Sequence, residues 1–380
     1  MMILFAVFAM TAFCSASGDD PFMKTYGGSG PDRGVHIIQS SDGNFVIVGN
    51  TMTVENTLDI YLIKCNSSGD TLWTRTFGGL EDDNGWCVKE TSDKGFIIAG
   101  FTESYNASMN DVLLLKTDAN GREQWHKTIG GPGDDIAWSI VINQDGGFTI
   151  AAQTDSYGNG ELDAYLIRTD AFGDTLWTRT FGGPEVDRVF SVDLSDDGCI
   201  LLAGITYSFG AGDRDAYLLK TDPAGKLLWQ NTYGGPGYEN AHAVVVNRTN
   251  DIILTGYGEY WGDAGKMDMF LKQISLEGED IWTQSYGGKE NDRAMTVFQV
   301  QDGGYALTGF TQSFGKGDWD AYVIRTGPKG DTLWTSTHGT PAPEFGYDII
   351  QSREGDFFVT GWSHGPGHPE GDLLLIKTGR

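Results

Sequence analysis

Along this chain, apolar positions come in short runs of six to eight residues, each broken by glycine, aspartate or asparagine before any helical period is established. Between residues 136 and 181 there are four such runs. Ile136 to Asn143 and Phe148 to Gln153 flank Asp145-Gly146-Gly147, where glycine supplies the positive φ of a tight turn. Asp163 to Thr169 alternates Tyr165 and Ile167 with Leu166 and Arg168, and after Asp170-Ala171-Phe172-Gly173 the run Asp174 to Phe181 carries Trp177. Four strands joined by turns are predicted, with no room for a helix of ordinary length.

The same unit recurs. Trp73, Trp125, Trp177, Trp229, Trp282 and Trp334 follow one another at intervals of 52 or 53 residues. A double glycine precedes each new copy, at Gly27-Gly28, Gly78-Gly79, Gly130-Gly131, Gly182-Gly183, Gly234-Gly235 and Gly287-Gly288, and becomes Gly339-Thr340 in the seventh. An acid follows four positions later: Asp32, Asp83, Asp135, Asp187, Glu239, Asp292 and Glu344. A second acid opens the third strand at Asp59, Asp111, Asp163, Asp215, Asp268, Asp320 and Asp372. A four-stranded unit of this length cannot bury its own apolar face, so copies must stack radially, which predicts an all-β, seven-bladed β-propeller.

The chain ends fit that ring. Phe22 occupies the tryptophan position of a fourth strand that has no blade before it, and the last copy stops after Asp372 to Lys377, where its fourth strand is due. The strand at residues 22–28 is therefore expected to complete the seventh blade and close the ring. The repeats run approximately over 29–79, 80–131, 132–183, 184–235, 236–288, 289–339 and 340–380, within a single domain at 18–380. Residues 1–17 hold the short apolar run Ile3 to Ala12 followed by small residues, which reads as an export signal. A secreted or cell-surface protein follows, with a lipid anchor at Cys14 disfavoured by the bulk of Phe13.

The spacing Asp-x-x-Gly-x-x-x-Trp, as in Asp170 to Trp177 and Asp222 to Trp229, resembles the tryptophan-docking repeat of quinoprotein-type propellers. The whole pattern is similar to that of secreted bacterial and archaeal beta-propeller repeat proteins. That resemblance implies a propeller fold and an extracellular setting, and it places the loops between strands four and one and between strands two and three on one face. It implies no particular activity.

Composition narrows the partners. With 52 acidic against 26 basic residues the formal charge is −26, which argues against nucleic acid and anionic membrane surfaces. Cys65, Cys87 and Cys199 have no metal spacing and read as free thiols. The rim acids Asp32, Asp83, Asp135, Asp187, Glu239, Asp292 and Glu344 offer oxygen ligands suited to Ca²⁺. Being present in every copy, they more simply serve turn geometry, so no cofactor is expected. The tryptophans are read as structural for the same reason.

Departures from the repeat are the candidates for function. Eight positions after the double glycine most copies carry a small residue, but His36 and Asp348 stand there in the first and last, adjacent across the closure, with Cys87 in the next blade. Such a set suits acid–base or nucleophilic chemistry in a central channel, or a polar contact that locks the seam. Tyr260 and Trp261 lie in a lengthened loop suited to stacking on a sugar or anchoring a protein. His364 and His368 flank Gly365-Pro366-Gly367 as weak metal candidates, and Arg33, Arg188 and Arg293 each follow a rim acid. The expected function is a non-catalytic binding or scaffold propeller, monomeric, recognising an extracellular glycan or protein through its long-loop face. A hydrolase or quinone-type oxidoreductase using the channel is the alternative.

Overall fold

The computed structural model describes residues 20–379 apart from 29, 55, 106, 108, 262–265 and 366–369. Among them, 28 strands form seven four-stranded antiparallel sheets arranged as the blades of a propeller. In the third blade the strands are Asp135–Ile142, Phe148–Thr154, Asp163–Thr169 and Thr175–Phe181, within a residue or so of the bounds read from the sequence. Gly146 sits at φ 83° in the tight turn.

Six blades use consecutive strands. The seventh combines Glu344–Gln351, Phe357–Ser363 and Asp372–Thr378 with Phe22–Tyr26, which pairs Phe22 with Lys377 and Tyr26 with Leu373. Closure by the N-terminal strand removes two open sheet edges.

The apolar core is divided among the junctions between blades. Val112 and Leu114 of the second blade, for example, pack with Ile140, Ile150 and Tyr165 of the third. The repeated tryptophans work at these junctions: the Trp125 ring lies against Gly173 of the next blade, and a Cβ there would sit 2.8 Å from it. Gly173 also has φ 79°, so glycine is required twice over, for its backbone and for the close approach. Phe22 meets Gly69 in the corresponding place, as its sequence position predicts.

A cation near the end of the third strand ties down the tight turn of the same blade. Lys64 pairs with Asp42 at 2.7 Å and Lys116 with Asp93 at 2.9 Å, while Arg168 pairs with Asp145 and Arg325 with Asp302. These Lys and Arg side chains are buried, and removing the paired carboxylate would leave each cation without its counter-charge.

Candidate functional site

Two surfaces differ from the repeating framework: the long-loop face and the wall of the central channel. On the long-loop face the rim acids are occupied with backbone. Asp135 accepts the Gly131 N–H at 2.8 Å and the Ser156 hydroxyl at 2.7 Å, and Asp83, Asp187 and Asp292 repeat the arrangement with Gly79 and Ser104, Gly183 and Ser208, and Gly288 and Ser313. Asp32 accepts from Gly28 and Glu344 from Thr340. The second acid caps the neighbouring loop, as Asp163 does for Asn159 and Gly160. Both acids crowd the first glycine of each pair, where a Cβ on Gly130 would lie 2.0 Å from Asp111 and 2.9 Å from Asp135. Burial raises the Asp111 pKa, and the Asp135 charge raises it further. Among the described residues, no group of three or more His, Cys, Asp or Glu side chains gathers as a metal site.

The fifth blade alters this pattern in a coupled way. Tyr260 stands where the second, third, fourth and sixth blades place the serine that bonds the rim acid, and the rim acid is Glu239 rather than aspartate. The longer Glu239 side chain accepts the Tyr260 N–H at 3.1 Å and the Gly235 N–H at 3.0 Å, which leaves the phenol free to project. Tyr260 is 62 % exposed. Trp261 does not project with it: its ring stacks on Phe270 with centroids 3.9 Å apart. Tyr157, Phe209 and Phe314 occupy the same place beside Tyr165, Tyr217 and Tyr322 but more loosely, tilted and at 5.7, 6.0 and 5.4 Å, so Trp261 is the fifth blade's tightly stacked version of a repeated loop aromatic. Its signal was present in the sequence, since Trp261 follows its double glycine at the same offset as Tyr157, Phe209 and Phe314 follow theirs.

Exposed side chains extend around this face. Tyr157, Tyr207, Tyr238, Tyr260 and Phe314 belong to loops of four consecutive blades, and Val54, Leu80 and Met109 continue the series through the first two. His364 rests against Trp362 with ring centroids 4.1 Å apart, and His368 lies outside the described residues, as does Cys14. Arg33 lies over Trp362 at 4.6 Å, while Arg293 sits between Tyr257 at 5.1 Å and Trp319 at 5.4 Å. Aromatic faces thus hold two of the three rim arginines.

The inner strands surround a cavity of about 700 Å³. Each carries a β-bulge, between Gly34 and His36, Gly85 and Cys87, Ala137 and Ser139, Val189 and Ser191, Ala241 and Ala243, Ala294 and Thr296, and Gly346 and Asp348. An extra residue breaks the period-two alternation, so two successive side chains turn toward the channel. The bulged residues are Val35, Trp86, Trp138, Phe190, His242, Met295 and Tyr347, and all line the cavity. Four of them form a continuous arc, with centroid distances of 4.8 Å from Trp86 to Trp138, 5.5 Å from Trp138 to Phe190 and 5.3 Å from Phe190 to His242. Strict alternation picks out only the residue after the bulge, so the sequence reading missed this arc. Its signal was present, since Trp86 and Trp138 are off the repeat's tryptophan register yet share one offset.

His36, Asp348 and Cys87 also reach the channel. Asp348 accepts the Ile37 N–H of the first blade and its neighbour Ile349 N–H, both at 2.9 Å, so it bridges the seam. Asp193 bridges the fourth and fifth blades likewise through Val246 at 2.7 Å, with Leu194 at 2.9 Å. The His36 ring is 3.8 Å from Asp348, beyond hydrogen-bond reach, and 3.5 Å from the Lys89 ammonium. Burial and then Lys89 hold the His36 pKa well below its usual value, whereas burial pushes Asp348 up to about 6. Burial also raises Cys87, whose thiol faces the Ile140 carbonyl. A neutral imidazole, a carboxylate engaged by backbone and a protonated thiol favour the seam-locking reading of this set. Cys65, Cys87 and Cys199 are free and buried.

Structural comparison places the chain among propellers. The WD40 domain of Neurospora crassa Pan2 superposes with a TM-score of 0.55 at 13% identity, covering 92% of this chain and 90% of that one. The propeller domain of the trilobed protease from Pyrococcus furiosus gives 0.54 at 10% identity, covering 93% and 96%, and YCF48 bound to D1 peptide gives 0.53 at 12%, covering 95% of each. At these identities the likeness concerns the fold, and it does not single out the tryptophan-docking quinoprotein type. No family model matches the chain. The regulatory protein FlaEY of Caulobacter vibrioides is 24% identical over 344 residues, covering 74% of this chain and 36% of that protein. The chain therefore spans about a third of the length of that relative.

Proposed function

We propose that this chain is a secreted or cell-surface, non-catalytic binding propeller that recognises an extracellular glycan through its long-loop face. The observation that carries the reading is the run of exposed Tyr157, Tyr207, Tyr238, Tyr260 and Phe314 on four consecutive blades. Tyrosine offers an apolar face and a hydroxyl at low entropic cost, which suits a sugar ring, and the surrounding carboxylates offer acceptors for sugar hydroxyls. The resemblance to secreted beta-propeller repeat proteins supports the setting.

Electrophoresis through gels containing neutral or acidic polysaccharides tests the reading. Retardation by at least one polysaccharide, reduced about tenfold in affinity by Tyr238→Ala with Tyr260→Ala, is expected. If no polysaccharide retards the protein, the glycan reading fails and a protein ligand on the same face takes its place. The rim acids are proposed to be turn-fixing groups, so EDTA followed by millimolar Ca²⁺ should leave the thermal midpoint unchanged. A rise of several degrees would make them metal sites.

A further inference from the structure

The channel carries an arrangement that neither blade packing nor the long-loop reading requires. Three observations bear on it: space, the arc and the balance of donors. A cavity of about 700 Å³ falls within the range of roughly 300–1,000 Å³ typical of small-molecule sites. Apart from Arg33, its lining comes from the bulge and the strand segments beyond it, down to Gln39 and Gln351, so it lies on the tight-turn side of the aromatic layer.

The arc is not needed to build the ring. At the same bulge position the first and sixth blades have Val35 and Met295, and these blades close as well as the others. Trp86, Trp138, Phe190 and His242 are nevertheless consecutive, in mutual contact and only partly buried, so they present one continuous π surface to the cavity.

The polar groups are unequally engaged. Asp193 and Asp348 each receive two backbone N–H groups, one on each carboxylate oxygen, and so are drawn to the wall. On the donor side, the Lys89 ammonium lines the cavity and reaches the His36 ring only at 3.5 Å, so its remaining protons are open to a ligand. A ligand completing this set must bring acceptors.

We propose that the central channel binds one small planar organic acid, its ring against the Trp86–Trp138–Phe190–His242 arc and its acidic group toward Lys89. An aromatic or heteroaromatic carboxylate or sulfonate has the required shape and charge. The ammonium supplies a charge-assisted hydrogen bond, and the arc supplies the stacking area. This site is separate from the long-loop face and stands or falls apart from it.

Fluorescence titration with anilinonaphthalene sulfonate and its uncharged analogue phenylnaphthylamine tests the proposal. We expect saturable binding of the sulfonate at one per chain, with energy transfer from tryptophan, and binding of the uncharged analogue weaker by about tenfold or more. Lys89→Met should erase that difference, Phe190→Ala should weaken both probes, and Tyr260→Ala should change neither. Equal binding of the two probes, or sulfonate binding unaltered by both channel substitutions, would overturn the proposal. Should the channel variants fail to fold, competition on the unaltered protein decides: naphthalene carboxylate must displace the sulfonate probe and naphthalene methanol must not.

Discussion

Asp135 and Asp187 perform the same task in adjacent blades, each fixing a double-glycine turn and a loop serine at nearly equal distances. Three residues further along the same strands, Trp138 and Phe190 share a position but not a chemistry, and around the ring that position also holds valine, histidine, methionine and tyrosine. The rim faces a neighbouring blade that is nearly the same at most junctions, so one solution serves most of them, with Glu239 and Glu344 as the variants. The channel wall faces all seven blades at once, and each blade can contribute something different. Repetition therefore marks what holds the ring together, and variation marks where a ligand can be distinguished.

Substitutions can break that contrast at graded strength. The largest effect should come at the closure, where Phe22 contacts Gly69 and the Tyr26 hydroxyl donates to the Gly69 carbonyl at 2.6 Å. Phe22→Ala with Tyr26→Ala is expected to lower stability by about 4 kcal/mol in urea titrations. At an ordinary junction, Gly173→Ala places a methyl against Trp125 at positive φ and should cost about 3 kcal/mol by the same measurement. Ser156→Ala takes a hydrogen bond from the buried Asp135 carboxylate, a loss of about 1–2 kcal/mol. Equal losses from Ser208→Ala would sharpen the claim that rim positions are interchangeable.

Channel positions should instead show themselves through pH. Burial lowers the His242 pKa to about 4, so the native state refuses a proton that the unfolded chain accepts below about 6.5. Stability is then lost as pH falls from 7 to 5, by up to about 2 kcal/mol, and His242→Phe should remove that part of the slope. Asp348 acts in the opposite sense. With its native pKa raised to about 6, acidification over the same window favours the folded state by about 1 kcal/mol, a gain that Asp348→Asn should abolish. Urea midpoints at the two pH values for each variant check both signs. The smallest effect on stability is expected for Tyr260→Ala, within about 0.5 kcal/mol of the parent, because its ring projects into solvent.

Much of this molecule was legible from residue offsets. The 52-residue period, the double glycines and the tryptophans predicted seven blades, and Phe22 at a tryptophan position predicted how the ring closes. These features depend on contacts between one copy and the next, and each copy spells them out again. The candidate site was legible only in part. Tyr260 was found as a departure from the pattern, but Trp261 beside it packs on Phe270 because the fold gives it the place of Tyr157 and Phe209. His36 and Asp348 were placed correctly at the closure, yet backbone donors engage Asp348, a fact visible only when the first and last inner strands lie side by side.

Sequence alone determined the repeat, the number of blades and the residues that join them, because these follow from local spacing repeated without change. Tertiary structure alone decided which side chains share the channel. A bulge in each inner strand overrides the alternation from which facing is read, and ring closure brings together residues from every blade, so no local pattern records their meeting.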